Sequence, residues 1–251
     1  CVLYSHEDLD FVTGSPERKR FFIDQSLSMY DVMYIDINRR YKKVLKERNI
    51  SLKEKKYEML DIYDMQLVQY GMEMQSKRKM AIFKFNQIFP KLYEDITGID
   101  GVHIVYNPSW NMKDNSLESA NDILKQVRSR LEVEKIMNTT MTGPHRDKIV
   151  FVRNHAAFVP EASTGQRRLI ALILRTAQAV FYSQATGKKP VLLMDDVLLE
   201  LDPEKRQKVT ALLPEYDQLF CTFLNGEPYE KYKKSTTRVY KINNGQWTES
   251  V

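Results

Sequence analysis

Apolar positions recur at helical spacing through the early part of the chain. Met29, Met33, Ile37, Tyr41 and Leu45 follow one another at four-residue intervals, and Met59, Tyr63, Leu67, Tyr70 and Met74 form a second series. Each series places apolar side chains on one face of a helix. The pattern predicts two long helices between about residue 25 and Pro90, joined by a turn at Arg48-Asn49-Ile50-Ser51, where Asn and Ser punctuate the sequence. Heptads are not sustained for long, so the pair reads as an antiparallel helical arm rather than an extended coiled coil. Its Met and aromatic stripes are core packing.

Before the arm, residues 1–24 form an opening segment with a turn at Gly14-Ser15-Pro16. After it, a strand is predicted at Val102 to Tyr106, then a breaker at Asn107-Pro108. A helix follows from Asn121 to Met137, carrying Leu124, Val127 and Leu131. Ile149 to Val152 and the stretch around Phe158 read as strands flanking an Arg153-Asn154-His155 turn. From Ser163 onward the order is helix, strand, helix, strand, helix, strand. That alternation predicts an α/β fold with a mainly parallel sheet.

The polar residues of this last region carry the candidate chemistry. Val191-Leu192-Leu193-Met194 runs straight into Asp195-Asp196, as a buried parallel strand does when its C-terminal end delivers acids to a site. Asp195 is the candidate ligand for Mg²⁺, directly or through water. Asp196 is the candidate catalytic residue that orients water toward a γ-phosphate. Upstream, Ser163-Thr164-Gly165-Gln166 opens a long helix, where a hydroxyl and free amides can face an anion. Taken singly, each element also fits a capped helix or an ordinary strand end. No Gly-x-x-x-x-Gly-Lys-Ser/Thr occurs, and Gly187-Lys188-Lys189 lacks both the earlier glycine and the final hydroxyl. His145-Arg146-Asp147 shares three letters with a kinase catalytic loop, but Val152 stands where that loop needs Asn. A structural Arg146–Asp147 pair is the expectation there.

Several blocks together resemble the RecF family of the ABC/SMC-like ATPase group. They are Thr139 to Asp147, Ser163 to Arg168, and Asp195 to Asp202. Gly14-Ser15-Pro16 with Arg18-Lys19-Arg20 and Phe22-Ile23-Asp24 belongs with them, as does Gln66-Leu67 with Tyr70-Gly71 and Arg78. The resemblance implies an α/β fold, a partial ABC-type (P-loop NTPase-like) sheet with an inserted, largely helical arm. Its parts would be residues 1–24 joining the ATPase lobe that precedes them in the family, 25–138 as arm, and 139–251 as the second ATPase half. On that implication the chain is a C-terminal piece. Lys148, Thr164 and Leu199 depart from the family pattern.

The same resemblance implies ATP and Mg²⁺ as cofactors, with Ser163, Gly165 and Gln166 as a signature lying over nucleotide held by the other subunit. Asp202 would belong to the D-loop, and Thr222 to the switch where transporter relatives place a His. The implied function is ATP-dependent DNA binding in recombinational repair and at replication forks, through a homodimer that closes on nucleotide and helps load recombinase. RecR, RecO and DNA, as gapped or junction duplex or as single strand, are the implied partners. The alternative is a non-catalytic scaffold that uses the arm for protein contacts.

Composition narrows the class modestly. With 251 residues and 43% hydrophobic content the chain can bury a sizeable core. No apolar run is long enough to span a membrane, and two cysteines suit a reducing cytosol, so a cytoplasmic location is expected. The net charge of +5 mildly favours a polyanionic partner. Cations gather on the arm: Arg39, Arg40, Lys42, Lys43, Lys46 and Arg48, then Lys53, Lys55 and Lys56, then Lys77, Arg78 and Lys79. Interleaved Glu47, Glu54 and Glu58 fit a solvated face equally well. With the resemblance, Arg39, Arg40, Lys42, Lys43, Lys77 and Arg78 become the candidate DNA contacts.

Overall fold

The computed structural model describes residues 1–198, 201–224 and 229–250. Strand β1 (Val2–Tyr4) leads through a 3₁₀ turn into the short helix α1 (Asp10–Thr13) and then α2 (Pro16–Ser28). Ser15 accepts from the Arg18 amide and Pro16 occupies the first helical position, which fixes the start of α2. The arm consists of α3 (Val32–Lys53) and α4 (Leu60–Thr97), packed side by side. Next come β2 (His103–Asn107), α5 (Leu117–Ser129), α6 (Leu131–Met137), β3 (Lys148–Arg153) and β4 (Ala156–Ala157). The remainder runs α7 (Phe158–Glu161), α8 (Thr164–Thr186), β5 (Val191–Met194), α9 (Pro203–Ala211), β6 (Gln218–Cys221), β7 (Val239–Asn243) and β8 (Gln246–Ser250).

Three sheets result. β1, β5 and β6 form a parallel sheet with β5 central, Tyr4 opposite Met194 and Met194 opposite Cys221. β2, β3 and β4 form an antiparallel sheet, and β7 pairs with β8 as a hairpin. α8 packs on β1 and on α4, so the apolar faces of arm and parallel sheet share one core containing Phe22, Phe85, Phe181, Leu192 and Met194.

Several predicted boundaries move. The inter-helix turn falls after Lys53, because Arg48, Asn49 and Ser51 lie inside α3. α4 runs through Pro90 to Thr97, its buried face continuing with Phe89, Tyr93 and Ile96 across the hydrogen bond that proline removes. The helix predicted over 121–137 is two helices that meet at Arg130. Phe158 starts a helical turn rather than a strand, and the hairpin before it turns on Asn154 and His155, both with left-handed backbone. Where a last helix is expected, the described residues form a 3₁₀ turn at Tyr229–Tyr232 before the terminal hairpin.

Between α3 and α4 the buried face continues through charged residues. Arg48 is fully buried and ion-paired to Asp64 and Glu134, both at 2.7 Å, while its Nη1 donates to Thr140 (2.9 Å). Asn49 accepts from the backbone and hydroxyl of Thr140. Arg78 is 2% exposed and grips both carboxylate oxygens of Asp24 (2.8 and 2.9 Å), Asp147 (2.9 Å) and the Pro144 carbonyl (2.7 Å). Asp147 also accepts from Gln75, the Ser109 amide and the Tyr106 hydroxyl. The expected Arg146–Asp147 pair is therefore replaced by Arg78–Asp147, and Arg146 donates instead to the Thr140 carbonyl. Bringing these charges inside costs desolvation, against which stand the ion pairs and hydrogen bonds that tie the arm helices to the loop 139–147.

Candidate functional site

The two acids sit where a parallel sheet presents its chemistry, at the C-terminal end of β5. Asp195 donates its backbone N–H to the Tyr4 carbonyl of β1 (3.1 Å), which extends the strand pairing by one residue. Asp196 then turns away with a left-handed backbone (φ 54). Asp tolerates that conformation better than most side chains, and such departures cluster at working sites.

On the neighbouring strand, the Thr222 amide donates to the Met194 carbonyl (3.0 Å) just past β6. This bond swings the Thr222 hydroxyl over the acids. It accepts from the Asp196 amide (2.9 Å) and lies within donor reach of Asp195 Oδ1 (3.0 Å) and Asp196 Oδ1 (2.9 Å). One hydroxyl hydrogen serves one carboxylate at a time, which leaves the other acid free for an external partner. Among the described residues no group of three His, Cys, Asp or Glu side chains forms a metal cage. Two carboxylates with a hydroxyl suit Mg²⁺, which takes one or two carboxylates and completes its shell with water and phosphate oxygens.

Ser163 caps α8. Its Oγ accepts from the Gln166 amide (3.2 Å) and its amide donates to Gln166 Oε1 (2.7 Å), a reciprocal capping box. Ser163 and Gly165 are exposed. A Cβ at Gly165 would meet nothing within 4 Å, so no packing among the described residues requires the glycine. The Gln166 amide is taken by the cap, which leaves the Thr164 and Gly165 amides at the positive end of a 23-residue helix, a surface suited to an anion. α8 is anchored by Arg175, which is buried, paired to Asp8 (2.8 Å), bonded to Gln25 and Gln178, and stacked over Phe11 (4.8 Å). Sequence reasoning missed this anchor, because Arg175 follows the apolar run Leu169 to Leu174 and its partners Asp8 and Gln25 are remote in the chain. A cleft lined by His6, Leu9, Arg168, Leu172, Val197 and Leu201 separates the first turns of α8 from the segment after the acids.

Asp202 lies apart from the acids as the N-cap of α9. It accepts from the Lys205 amide (2.9 Å) and pairs with the Lys205 ammonium (2.7 Å), which holds its carboxyl below the usual range. Leu199 falls outside the described residues. Of the candidate DNA contacts, Arg39, Lys42 and Lys43 are exposed on α3. Arg40 is exposed but committed to Asp36 (2.7 Å), with its guanidinium over Tyr70. Lys77 is mostly buried against Asp31 (2.7 Å). Arg78 is removed from the candidates: its guanidinium is spent inside the core on Asp24 and Asp147.

His145 closes the loop before β3. Its Nδ1 accepts from Tyr41 (2.7 Å), so Nε2 carries the proton toward the Thr140 carbonyl (3.1 Å). Burial pushes its pKa down to about 4, keeping the ring neutral.

No family model matches the chain. It is 50% identical over 98% of its length to the DNA replication and repair protein RecF of Treponema pallidum, spanning 68% of that protein. It is 35% identical to the protein of the same name from Clostridium perfringens, again over 98% of the chain and 68% of the relative. Two solved structures superpose on the whole chain and on 67% of their own: a recombination mediator protein RecF with ATP (TM-score 0.83, 26% identity) and one with an ATP analogue (0.84, 27%), both described within the RecFOR pathway. The chain thus spans about two thirds of the length of these proteins.

Proposed function

The chain belongs to the RecF family of DNA replication and repair proteins, and we propose that it supplies the water-activating and signature halves of an ATP-driven clamp on DNA. The observation that carries this reading is the meeting of Asp195, Asp196 and Thr222 at the C-terminal ends of two adjacent parallel strands. Asp195 holds Mg²⁺. Asp196, turned out of the strand by its left-handed backbone, orients water in line with the γ-phosphate. The metal supplies charge neutralisation at the phosphates when bound. Thr222 is the switch hydroxyl, and it keeps the acids apart in role.

The phosphate-cradling loop is not among these 251 residues, so nucleotide is held from elsewhere. Ser163, Gly165 and Gln166 then face nucleotide bound to the partner copy, with Asp202 starting α9 in the D-loop. Closure of the homodimer on two ATP molecules clamps DNA, and hydrolysis reopens it. RecR and RecO are the proposed protein partners in recombinational repair, in the cytoplasm. Among the described residues no helix is long and apolar enough to cross a membrane.

The test compares two adjacent substitutions in the complete protein. Asp196→Asn should abolish hydrolysis while Mg²⁺-ATP binding persists, because Asn keeps the left-handed backbone and loses only the carboxylate charge. Asp195→Asn should weaken Mg²⁺-dependent binding itself. Equal loss of Mg²⁺-ATP affinity in both variants would contradict the division of roles.

A further inference from the structure

The outward face of α3 differs from every other cationic stretch on the arm. At about 100° per residue, the buried positions Tyr34, Ile37, Tyr41, Val44 and Arg48 mark the inward face of the helix. Arg39, Lys42, Lys43, Lys46 and Lys53 all fall on the opposite side, within a stripe about 100° wide. All five are exposed, and none has an ion-pair partner among the described residues. The only other side chains in the stripe are aliphatic: Val32, Ile35 and Ile50. No carboxylate interrupts it. Asp36 and Glu47, the acids of this stretch, sit on its flank, and Asp36 is already neutralised by Arg40.

We propose that this stripe is a binding surface for the sugar-phosphate backbone of duplex DNA, and the proposal rests on the DNA-clamp reading above. α3 has 22 residues, about 33 Å at about 1.5 Å per residue, close to the length of one duplex turn. Unpaired lysines on a rigid rod can neutralise phosphates without reorganising the protein, and they carry no sequence choice. Duplex is favoured over single strands because the stripe holds no aromatic ring on which an unpaired base could stack. The assignment replaces part of the cationic set suggested by sequence: Lys46 and Lys53 join Arg39, Lys42 and Lys43, while Arg40, Lys77 and Arg78 are excluded by their carboxylate partners.

The test uses the triple variant Lys42→Gln, Lys43→Gln, Lys46→Gln in the complete protein, with Mg²⁺ and a non-hydrolysable ATP analogue present. Its control, matched in lost charge, is Lys91→Gln, Lys125→Gln, Lys188→Gln, at exposed positions on other elements. Affinity for a fluorescent duplex of about 30 base pairs is measured against salt concentration. The logarithmic salt slope should fall by about 2 to 3 in the stripe variant, roughly one phosphate contact per lysine, and stay near wild type in the control. Equal slopes in wild type and stripe variant would overturn the stripe alone. A complete wild-type protein that binds no duplex with the ATP analogue present, or binds only anionic lipid vesicles, would overturn the stripe together with the DNA-binding reading. The substituted side chains are exposed, so circular dichroism melts of both variants should match wild type and separate lost binding from lost fold.

Discussion

Replacing Arg78 with Met tests whether this conspicuous cation belongs to the core or to a ligand. The substitution keeps the apolar stem and removes a guanidinium that makes four hydrogen bonds: two to Asp24, one to Asp147 and one to the Pro144 carbonyl. Asp147 retains Gln75, Tyr106 and the Ser109 amide as donors, so it stays largely satisfied. Asp24 retains only the Tyr34 hydroxyl. The cost therefore concentrates on one buried carboxylate that has lost its countercharge. Breaking such a pair from one side costs about 3–5 kcal/mol, a large share of the roughly 5–15 kcal/mol that holds a domain together. Arg78→Lys keeps the charge but not the two-pronged grip on Asp24, and should lose an intermediate amount. The second change Asp24→Asn in the Arg78→Met background should restore part of the loss, because it removes the stranded charge. Urea unfolding followed by circular dichroism reads all four proteins. A loss under about 1 kcal/mol for Arg78→Met, or lost DNA affinity at unchanged stability, would refute the core role.

Two further expectations follow from buried contacts. His145 is held neutral with its pKa near 4, so its contribution is complete above an unfolded value of about 6.5 and is lost as pH falls from there through 4. The loss reaches up to about 3 kcal/mol. His145→Gln should flatten that part of the wild-type stability profile, and parallel profiles between pH 4 and about 6.5 would contradict it. Gly71→Ala sets two effects against each other: helix propensity favours Ala by about 1 kcal/mol, but the new methyl would lie 2.4 and 2.7 Å from ring atoms of Trp110. Trp110 is fully buried and its indole N–H is held by Thr142, so overpacking of about 1–3 kcal/mol should win and lower the melting temperature. A raised melting temperature would mean the indole moves freely.

The strand that ends in Asp195-Asp196 was legible because an apolar run of four and the acids that stop it are adjacent in sequence. The helix stripes were legible as helices but misplaced as faces. A strict four-residue step advances about 40° beyond a full turn each time, so the series drifts around the helix. Met33 is accordingly 65% exposed, whereas the real buried face alternates steps of three and four through Tyr34, Ile37, Tyr41, Val44 and Arg48. Arg48-Asn49-Ile50-Ser51 reads as a turn only while Arg48 is assumed to face water. Its partners Asp64 and Glu134 lie on other helices, and pairing at such separation leaves no local trace. The same holds for Arg78, whose partners come from α2 and from the 3₁₀ turn just before β3. Thr222 could be placed near the acids only through the register of β5 and β6, which the chain between them does not encode locally.

If Ser163 and Gly165 serve nucleotide across an interface, a single substitution at Ser163 separates dimerisation from nucleotide binding. Both are exposed, and among the described residues nothing lies against Gly165 and Ser163 serves the helix cap. Ser163→Arg in the complete protein would put a bulky cation at that surface. Sedimentation with and without a non-hydrolysable ATP analogue should show wild type shifting from monomer to dimer while the variant stays monomeric, with its nucleotide affinity nearly intact in a parallel titration. A Ser163→Arg protein that still dimerises on nucleotide would contradict the account.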